Sequence, residues 1–403
     1  MQKKYDEVLK KPIVIIGAGK TGRGFLARLA CLSGVPTIFI DKNPALVRAL
    51  NARGEYRIDF FGGRRAPLEI SGFSACAADS DDAIDAISTA KVVFTSVGAS
   101  NFSQVSIKIA ESLKKRAENN TSEPLYVMTA ENAINPAKKL SGMIRDQLRN
   151  YGLDSAQFLV AEAAVFCTTI ENEDNPLDIK SEDLDFLPYD AEGIGELLNV
   201  LHGAQAEYDF HRVLQRKIYT YNCASACIAY LGSLKKYTYF AEAANDPIIA
   251  SLLQQLYKET GEAICREYGY SETEQAEFAL RSLKKFQDFE IKDSIERNAR
   301  DVVRKLQPDE RLAGPAILMR KHKMVPTVLP IIYAAALLYR HDGEDELISL
   351  LANEGVSGIL ENLSHISAKS GFGEHVMKYY SAFEKALKTG ADPLNEILER
   401  GLQ

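Results

Sequence analysis

Residues 12–41 read PIVIIGAGKTGRGFLARLACLSGVPTIFID. Residues 12–16, PIVII, form a short β-branched run that stops at glycines, as a buried strand does. Residues 25–32 then carry apolar side chains at helical spacing. Residues 37–40, TIFI, form a second apolar run, closed by Asp41. Strand, glycine turn, helix and second strand ending in an acid predict the opening βαβ unit of a parallel sheet. The pattern continues outward. Asn43-Pro44 starts a helix. KVVFT at 91–95, closed by Gly98, and the runs at 125–129 and 158–165 are further strands. Beyond about residue 200 the spacing becomes helical. The expectation is a doubly wound α/β Rossmann-type domain over 1–195 and an all-α domain over 196–403.

The glycines within GAGKTGRG carry a second message. Gly17, Gly19 and Gly22 fit G-x-G-x-x-G, a weak pattern alone but a dinucleotide fingerprint between a strand and a helix. Gly17 permits the tight turn, Gly19 lets backbone approach a pyrophosphate, and Gly22 lets the helix pack on the strand. Lys20 and Thr21 lie at the helix start, whose free N–H groups and dipole favour phosphate. Asp41, near the expected ~20-residue spacing, suits the ribose hydroxyls and repels a 2′-phosphate, which favours NAD over NADP. The fingerprint alone also admits a flavin. Val97 and Gly98 follow the 91–95 strand and are read either as a second approach to the cofactor or as a simple turn.

Composition bounds the remaining classes. The 403-residue chain is 46% hydrophobic and 26% charged, with a formal net charge of -7. That balance argues against a broad nucleic-acid footprint. The six cysteines form no CxxC pair, and neither a metal site nor a disulfide framework is expected. The charged N-terminus lacks the apolar core of a secretory signal. The longest apolar candidate, 325–339, is interrupted by Pro326 and Pro330, so no membrane span is expected. A cytoplasmic enzyme, monomeric or weakly self-associating, follows as the expectation.

In the helical half, residues 217–232 read KIYTYNCASACIAYLG. On regular helical spacing Lys217, Tyr221 and Ala224 share a face. Asn222 stands five residues after Lys217, and Ser225 three after Asn222. Burial would lower the pKa of this lysine and suit it to general-base work. Taken alone, it reads as a surface lysine with its stem on apolar neighbours. Asn132, just after the 125–129 strand, lies where ligands meet a doubly wound sheet and could donate to an alkoxide; alone, it reads as a turn residue. A helix over 294–306 would place Arg297, Arg300 and Arg304 on one face. Such a face suits a phosphate, or is a solvated face paired with Glu296 and Asp301.

Taken in order, GAGKTGRGF (17–25), DKNPALVRALNARGEY (41–56), AENAINP (130–136), KIYTYNCASACIAYLG (217–232) and RNARDVVRKLQPDERL (297–312) resemble the polyol-specific long-chain dehydrogenases, most closely the mannitol-1-phosphate 5-dehydrogenase branch. The resemblance implies metal-free hydride transfer between NAD and a polyol or polyol phosphate. Lys217 would be the general base, and Asn132 and Asn222 would stabilise the alkoxide. Where the family motif carries a histidine, this chain has Ser225, whose hydroxyl hydrogen-bonds but cannot carry charge. In the segment AEAAVFCTTI (161–170) the arginine usual near Cys167 or Thr168 is missing. An unphosphorylated polyol or a hexuronate as substrate, or a non-catalytic binder of NADH or sugar phosphate, are the alternatives these departures leave.

Overall fold

A computed structural model describes residues 11–395, apart from 64, 134 and 342. The charged N-terminus lies, up to residue 10, outside the described residues. The chain divides into two compact units, Met1–Val213 and Leu214–Gln403.

The strands of the first unit are β1 (Ile13–Ile16), β2 (Thr37–Asp41), β3 (Glu55–Phe60), β4 (Leu68–Ser71), β5 (Phe73–Ala77), β6 (Val92–Thr95), β7 (Leu125–Thr129), β8 (Phe158–Glu162), β9 (Thr169–Glu171), β10 (Ile179–Ser181), β11 (Leu187–Asp190) and β12 (Ala204–Glu207). Six form a sheet in the order β5-β2-β1-β6-β7-β8, every pair parallel. This is the doubly wound order expected from the sequence. Its strand order reverses between β1 and β6, which places the ligand crevice of such sheets at the carboxyl ends of those two strands. Strands β1, β6 and β7 are buried along their whole length, as sheets covered on both faces require.

A smaller sheet, β4-β3-β10-β9, packs on the first helix. Two buried arginines tie it there. Arg28, 0% exposed, donates to Ser181 Oγ (2.8 Å) and to the carbonyls of Glu182 (2.9 Å) and Leu184 (2.8 Å), and pairs with Asp185 at 2.9 Å. Arg23, 1% exposed, donates to the carbonyls of Pro176 (3.0 Å) and Leu177 (2.9 Å). Buried guanidinium groups persist where carbonyls and carboxylates meet their donors, and the terminal nitrogens of both arginines find such partners. Strand β12 lies beyond the boundary expected at 195. Its AQAE sequence has no β-branched residue, so only its parallel pairing with β11 reveals it as a strand.

The second unit is helical. At its centre Leu329–Leu337, LPIIYAAAL, is buried at every position. A helix apolar on all sides has no solvent face to offer, and Pro330 sits in its first turn, where a missing N–H costs nothing. Among the described residues no helix is long and apolar enough to cross a membrane.

The tightest contact of the first unit is backbone on backbone. A Cβ at Gly22 would lie 2.0 Å from the Gly17 carbonyl oxygen, and one at Gly17 2.3 Å from that of Ser96. Gly22→Ala is therefore expected to cost roughly 2–4 kcal/mol, read as a lowered midpoint in urea unfolding with an unchanged slope.

Candidate active site

In the first unit, Gly17 adopts φ 103°, a conformation that side chains rarely take, and turns the chain off β1. Its N–H donates to the Ile40 carbonyl at 2.7 Å, while Ser96 N–H donates to that of Ile16 at 2.8 Å. The turns after β1, β2 and β6 are thereby fastened side by side. A Cβ at Gly19 would meet no atom within 4 Å. Gly19 thus leaves open space above the turn, whereas Gly17 and Gly22 fill theirs with protein. That division is the one a pyrophosphate-binding turn needs. Lys20 and Thr21 begin the helix that leaves this turn, continuing through a π-turn at Gly22–Leu26.

Asp41 ends β2 beside the same turn. Its Oδ2 accepts from Ala18 N–H and its Oδ1 from Asn43 N–H, both at 2.8 Å. Each carboxylate oxygen has a second lone pair, so Asp41 keeps acceptor capacity for ribose hydroxyls while its orientation is fixed. The N–H groups of Val97 and Gly98 go to the Glu131 carboxylate, at 2.8 and 2.9 Å. The sequence reading gave Glu131 no task. The signal was present, since an acid directly after a parallel strand stands beside the turn that follows its neighbour. Asn132, the next residue, is exposed at the carboxyl end of β7.

In the second unit, the helix carrying Lys217 is not regular. Phe210–Lys217 is α-helical, Ile218–Asn222 is a π-turn, and Cys223–Leu234 is α-helical again. The Cys223 N–H reaches back five residues to the Ile218 carbonyl. In a regular helix, residues five apart stand roughly 140° from each other. The i→i+5 turn removes most of that angle. Burial follows the new register: Lys217, Asn222 and Ser225 are partly exposed, while Tyr219, Thr220, Tyr221, Cys223 and Ala224 are buried. The regular spacing that put Lys217 with Tyr221 and Ala224 is thus corrected. The π-turn groups the lysine with Asn222 and Ser225 instead.

Burial drives the Lys217 pKa down from its ordinary value to about 7, and the positive charges of Lys285 and Arg311 push the same way. An amine in that range exchanges protons at neutral pH. Lys305 is likewise lowered to about 7, by burial first and then by Arg311 and Arg304. Its Nζ donates to the Asn298 carbonyl at 2.6 Å. Arg311, which the sequence reading passed over, is therefore a common electrostatic neighbour of both lysines.

The three arginines read as a phosphate face are arranged differently from expectation. The helix over 294–306 is broken. Ile295–Ala299 and Val302–Lys305 are separate short helices, with Arg300 extended and Asp301 at φ 61° between them. Each arginine meets a carboxylate. Arg297 is bidentate on Asp293 (2.8 and 2.9 Å), Arg300 pairs with Glu296, and Arg304 bonds Glu310 at 2.7 Å and lies 3.6 Å from Asp301. The Arg300–Glu296 pair is exposed and of the kind that exchanges readily with solvent, whereas Arg304 is held by the buried carboxylate of Glu310, which Arg311 also meets.

Residues 11–182 match the family model described as the mannitol dehydrogenase Rossmann domain, and residues 209–393 the mannitol dehydrogenase C-terminal domain. A mannitol-1-phosphate 5-dehydrogenase of Anoxybacillus flavithermus is 30% identical over 88% of this chain and 95% of its own length. One of Geobacillus thermodenitrificans is 29% identical, over 92% and 99%. Among solved structures, Pseudomonas fluorescens mannitol 2-dehydrogenase, in ternary complex with NAD and D-mannitol, superimposes with a TM-score of 0.73 at 15% identity, covering 97% of this chain and 95% of that one.

A lysine whose folded pKa is lowered costs stability wherever the unfolded chain would hold its proton. The cost is complete below about pH 7 and vanishes as pH rises toward the unfolded value of 10.5. Lys217→Met is accordingly expected to raise stability by roughly 1–2 kcal/mol at about pH 6.5, with the gain fading toward about pH 10, as urea titrations at the two pH values would show.

Proposed function

The chain belongs to the mannitol dehydrogenase family, and on that premise we propose that it is an NAD-dependent dehydrogenase interconverting a polyol phosphate and its ketose phosphate. The observation that carries the reading is Lys217, an amine lowered to about 7 and placed by a π-turn on one face with Asn222. In polyol oxidation the neutral amine of Lys217 takes the hydroxyl proton. Asn222 and Asn132 donate N–H bonds to the oxygen as it becomes an alkoxide, stabilising charge where it develops. NAD, when bound, supplies the acceptor for the hydride. Gly17, Gly19, Gly22, Lys20, Thr21 and Asp41 suit it, because the turn is open only at Gly19 and Asp41 is oriented with lone pairs to spare. Val97 and Gly98, held by Glu131, would shape that crevice rather than donate to the cofactor. Ketose reduction runs the same proton back from the Lys217 ammonium.

The phosphate is the finer part of the proposal. It rests on the relatives' activity and on the run of basic residues Arg297, Arg300, Arg304 and Arg311 in the chain. Arg300, whose pair with Glu296 is exposed, would exchange that carboxylate for the substrate's phosphate, with Arg297 and Arg304 beside it in the chain. With NADH and a panel of fructose 6-phosphate, fructose, tagatose and hexuronates, we expect turnover with the phosphorylated ketose and little with the others. Turnover with fructose or a hexuronate instead would remove the arginines from substrate recognition.

Protonation sets the sign of the pH dependence. Oxidation needs the free amine, so its kcat/KM should rise through about pH 7 and level off above. Reduction needs the ammonium and should fall over the same interval. Lys217→Ala should lower kcat by roughly 10³-fold or more while NADH still binds. A flat pH profile, or retained turnover in that variant, would sink the base assignment.

Ser225 favours a second reading, a binder of NADH and sugar phosphate whose turnover is weak. Ser225→His decides between them. A gain in turnover on the polyol phosphate marks a weakened enzyme, whereas a drop in an existing activity marks a serine that belongs to this chain's own substrate.

A further inference from the structure

The π-turn at Ile218–Asn222 is a register choice. Five residues bonded i→i+5 occupy a stretch where a regular helix would place residues 217 and 222 far apart around its axis. Such turns are rare within α-helices, so something outside the helix must favour this one. Each of its three buried residues has a separate partner. The ring of Tyr219 lies against Gly314, where a Cβ would come within 2.6 Å of it. The Tyr221 ring packs edge-on against Phe278, with centroids 4.9 Å apart, and against Phe286 at 6.3 Å.

Thr220 is held differently, by a directional bond. It is 1% exposed, and its Oγ1 accepts from Gln275 Nε2 at 2.9 Å. Gln275, 3% exposed, stands on the helix Glu272–Phe286. Its other side-chain atom, Oε1, accepts from Arg216 Nε at 2.8 Å. Arg216 is itself immobilised. It donates through Nη2 to the Glu274 carbonyl at 2.8 Å, and its guanidinium lies 4.0 Å from the Tyr270 ring centroid and 4.2 Å from that of Phe278. The residue before Lys217 and the middle residue of the π-turn are thus joined through one buried amide on a neighbouring helix.

Hydrogen bonds of this kind select geometry more sharply than apolar packing does, because a buried amide with a lost partner is costly. Tyr219 and Tyr221 could keep much of their contact area after a small rotation. The Arg216–Gln275–Thr220 chain could not keep its two bonds.

We propose that Gln275 is a positioning residue for the reaction: by bonding Arg216 on one side and Thr220 on the other, it locks the π-turn in the register that presents Lys217 and Asn222 to the same substrate oxygen. This rests on the reading of Lys217 as the base. Gln275 does not touch the substrate in this scheme, and its effect is exerted through the angle between two groups that do.

Thr220→Val keeps the shape of the side chain and removes the acceptor, and Gln275→Leu removes both bonds. Each should lower kcat by roughly 10–100-fold, the loss expected from misplacing a reacting group by about an ångström. KM and NADH affinity should stay within about threefold, because the phosphate and cofactor groups are untouched. The rise of the oxidation profile should move away from about pH 7. Thr220→Ser and Gln275→Glu, which preserve a hydrogen bond at each position, should recover most of the turnover. Folded Thr220→Val and Gln275→Leu proteins with kcat within about twofold of the parent and an unchanged pH profile would overturn the proposal. So would conservative variants as impaired as the disruptive ones.

Lys217→Ala in the same assay separates the two readings. If that variant retains turnover, the base assignment fails, and the clamp is then judged by the pH dependence of Lys217 reductive methylation, followed by mass spectrometry. A profile displaced in Gln275→Leu and restored in Gln275→Glu supports the clamp. An identical profile in all three proteins rejects it.

Discussion

An ammonium group partly withdrawn from water is the constraint around which the helical unit is organised. Burial, Lys285 and Arg311 all shift Lys217 toward its neutral form. The unit therefore sustains an unfavourable charge environment and must offset it by burying apolar surface elsewhere. The helix after the π-turn supplies some of that burial, being buried along its length apart from Ser225 and Ser233. So does Leu329–Leu337, with no exposed position. Fully buried helices of this kind give roughly 1.5–3 kcal/mol for each large apolar side chain, enough to absorb one disfavoured lysine.

Local irregularity and chemistry coincide here for a physical reason. A regular helix offers a face made of residues three and four apart. A lysine and an asparagine five apart cannot share that face, yet inserting one π-turn brings them toward a common face while the chain stays α-helical on either side. The cost is a strained, widened turn with three buried side chains, each needing its own partner. Tyr219 on Gly314, Thr220 on Gln275 and Tyr221 on Phe278 meet that need from three directions.

This is also where reading the sequence stopped. The Rossmann-type half was legible because each step had a local signal: the β-branched run, the glycine turn, and the acid at Asp41. Gly17, Gly19, Gly22 and Asp41 stand at the turn their spacing implied. Strands β3, β4 and β5 went unread because EYRIDF, LEIS and FSACA mix charges and small residues with few apolar positions, and their pairing is settled by distant partners. Lys217, Asn222 and Ser225 were legible as residue types, but their common face was not, because nothing in KIYTYNCA announces an extra residue in the turn. The arginines failed in the opposite direction. Their three-and-four spacing promised a helical face, and an extended Arg300 followed by Asp301 at positive φ interrupted it.

The pairing of Glu131 with the turn after β6 decides which backbone donors that turn leaves free. Its carboxylate takes the N–H groups of Val97 and Gly98, which would otherwise face the crevice as donors. The first glycine turn is the more open of the two, since a Cβ at Gly19 would meet no atom within 4 Å. An anionic group is drawn toward that turn, and the negative charge of Glu131 repels it from the neighbouring one. Asn132, directly after Glu131 in the chain, is exposed near the carboxyl end of β7. On the proposed reading, the sheet divides the tasks of its strand ends: the turns after β1 and β2 would take the cofactor's phosphates and ribose, and the end of β7 the oxygen that changes charge.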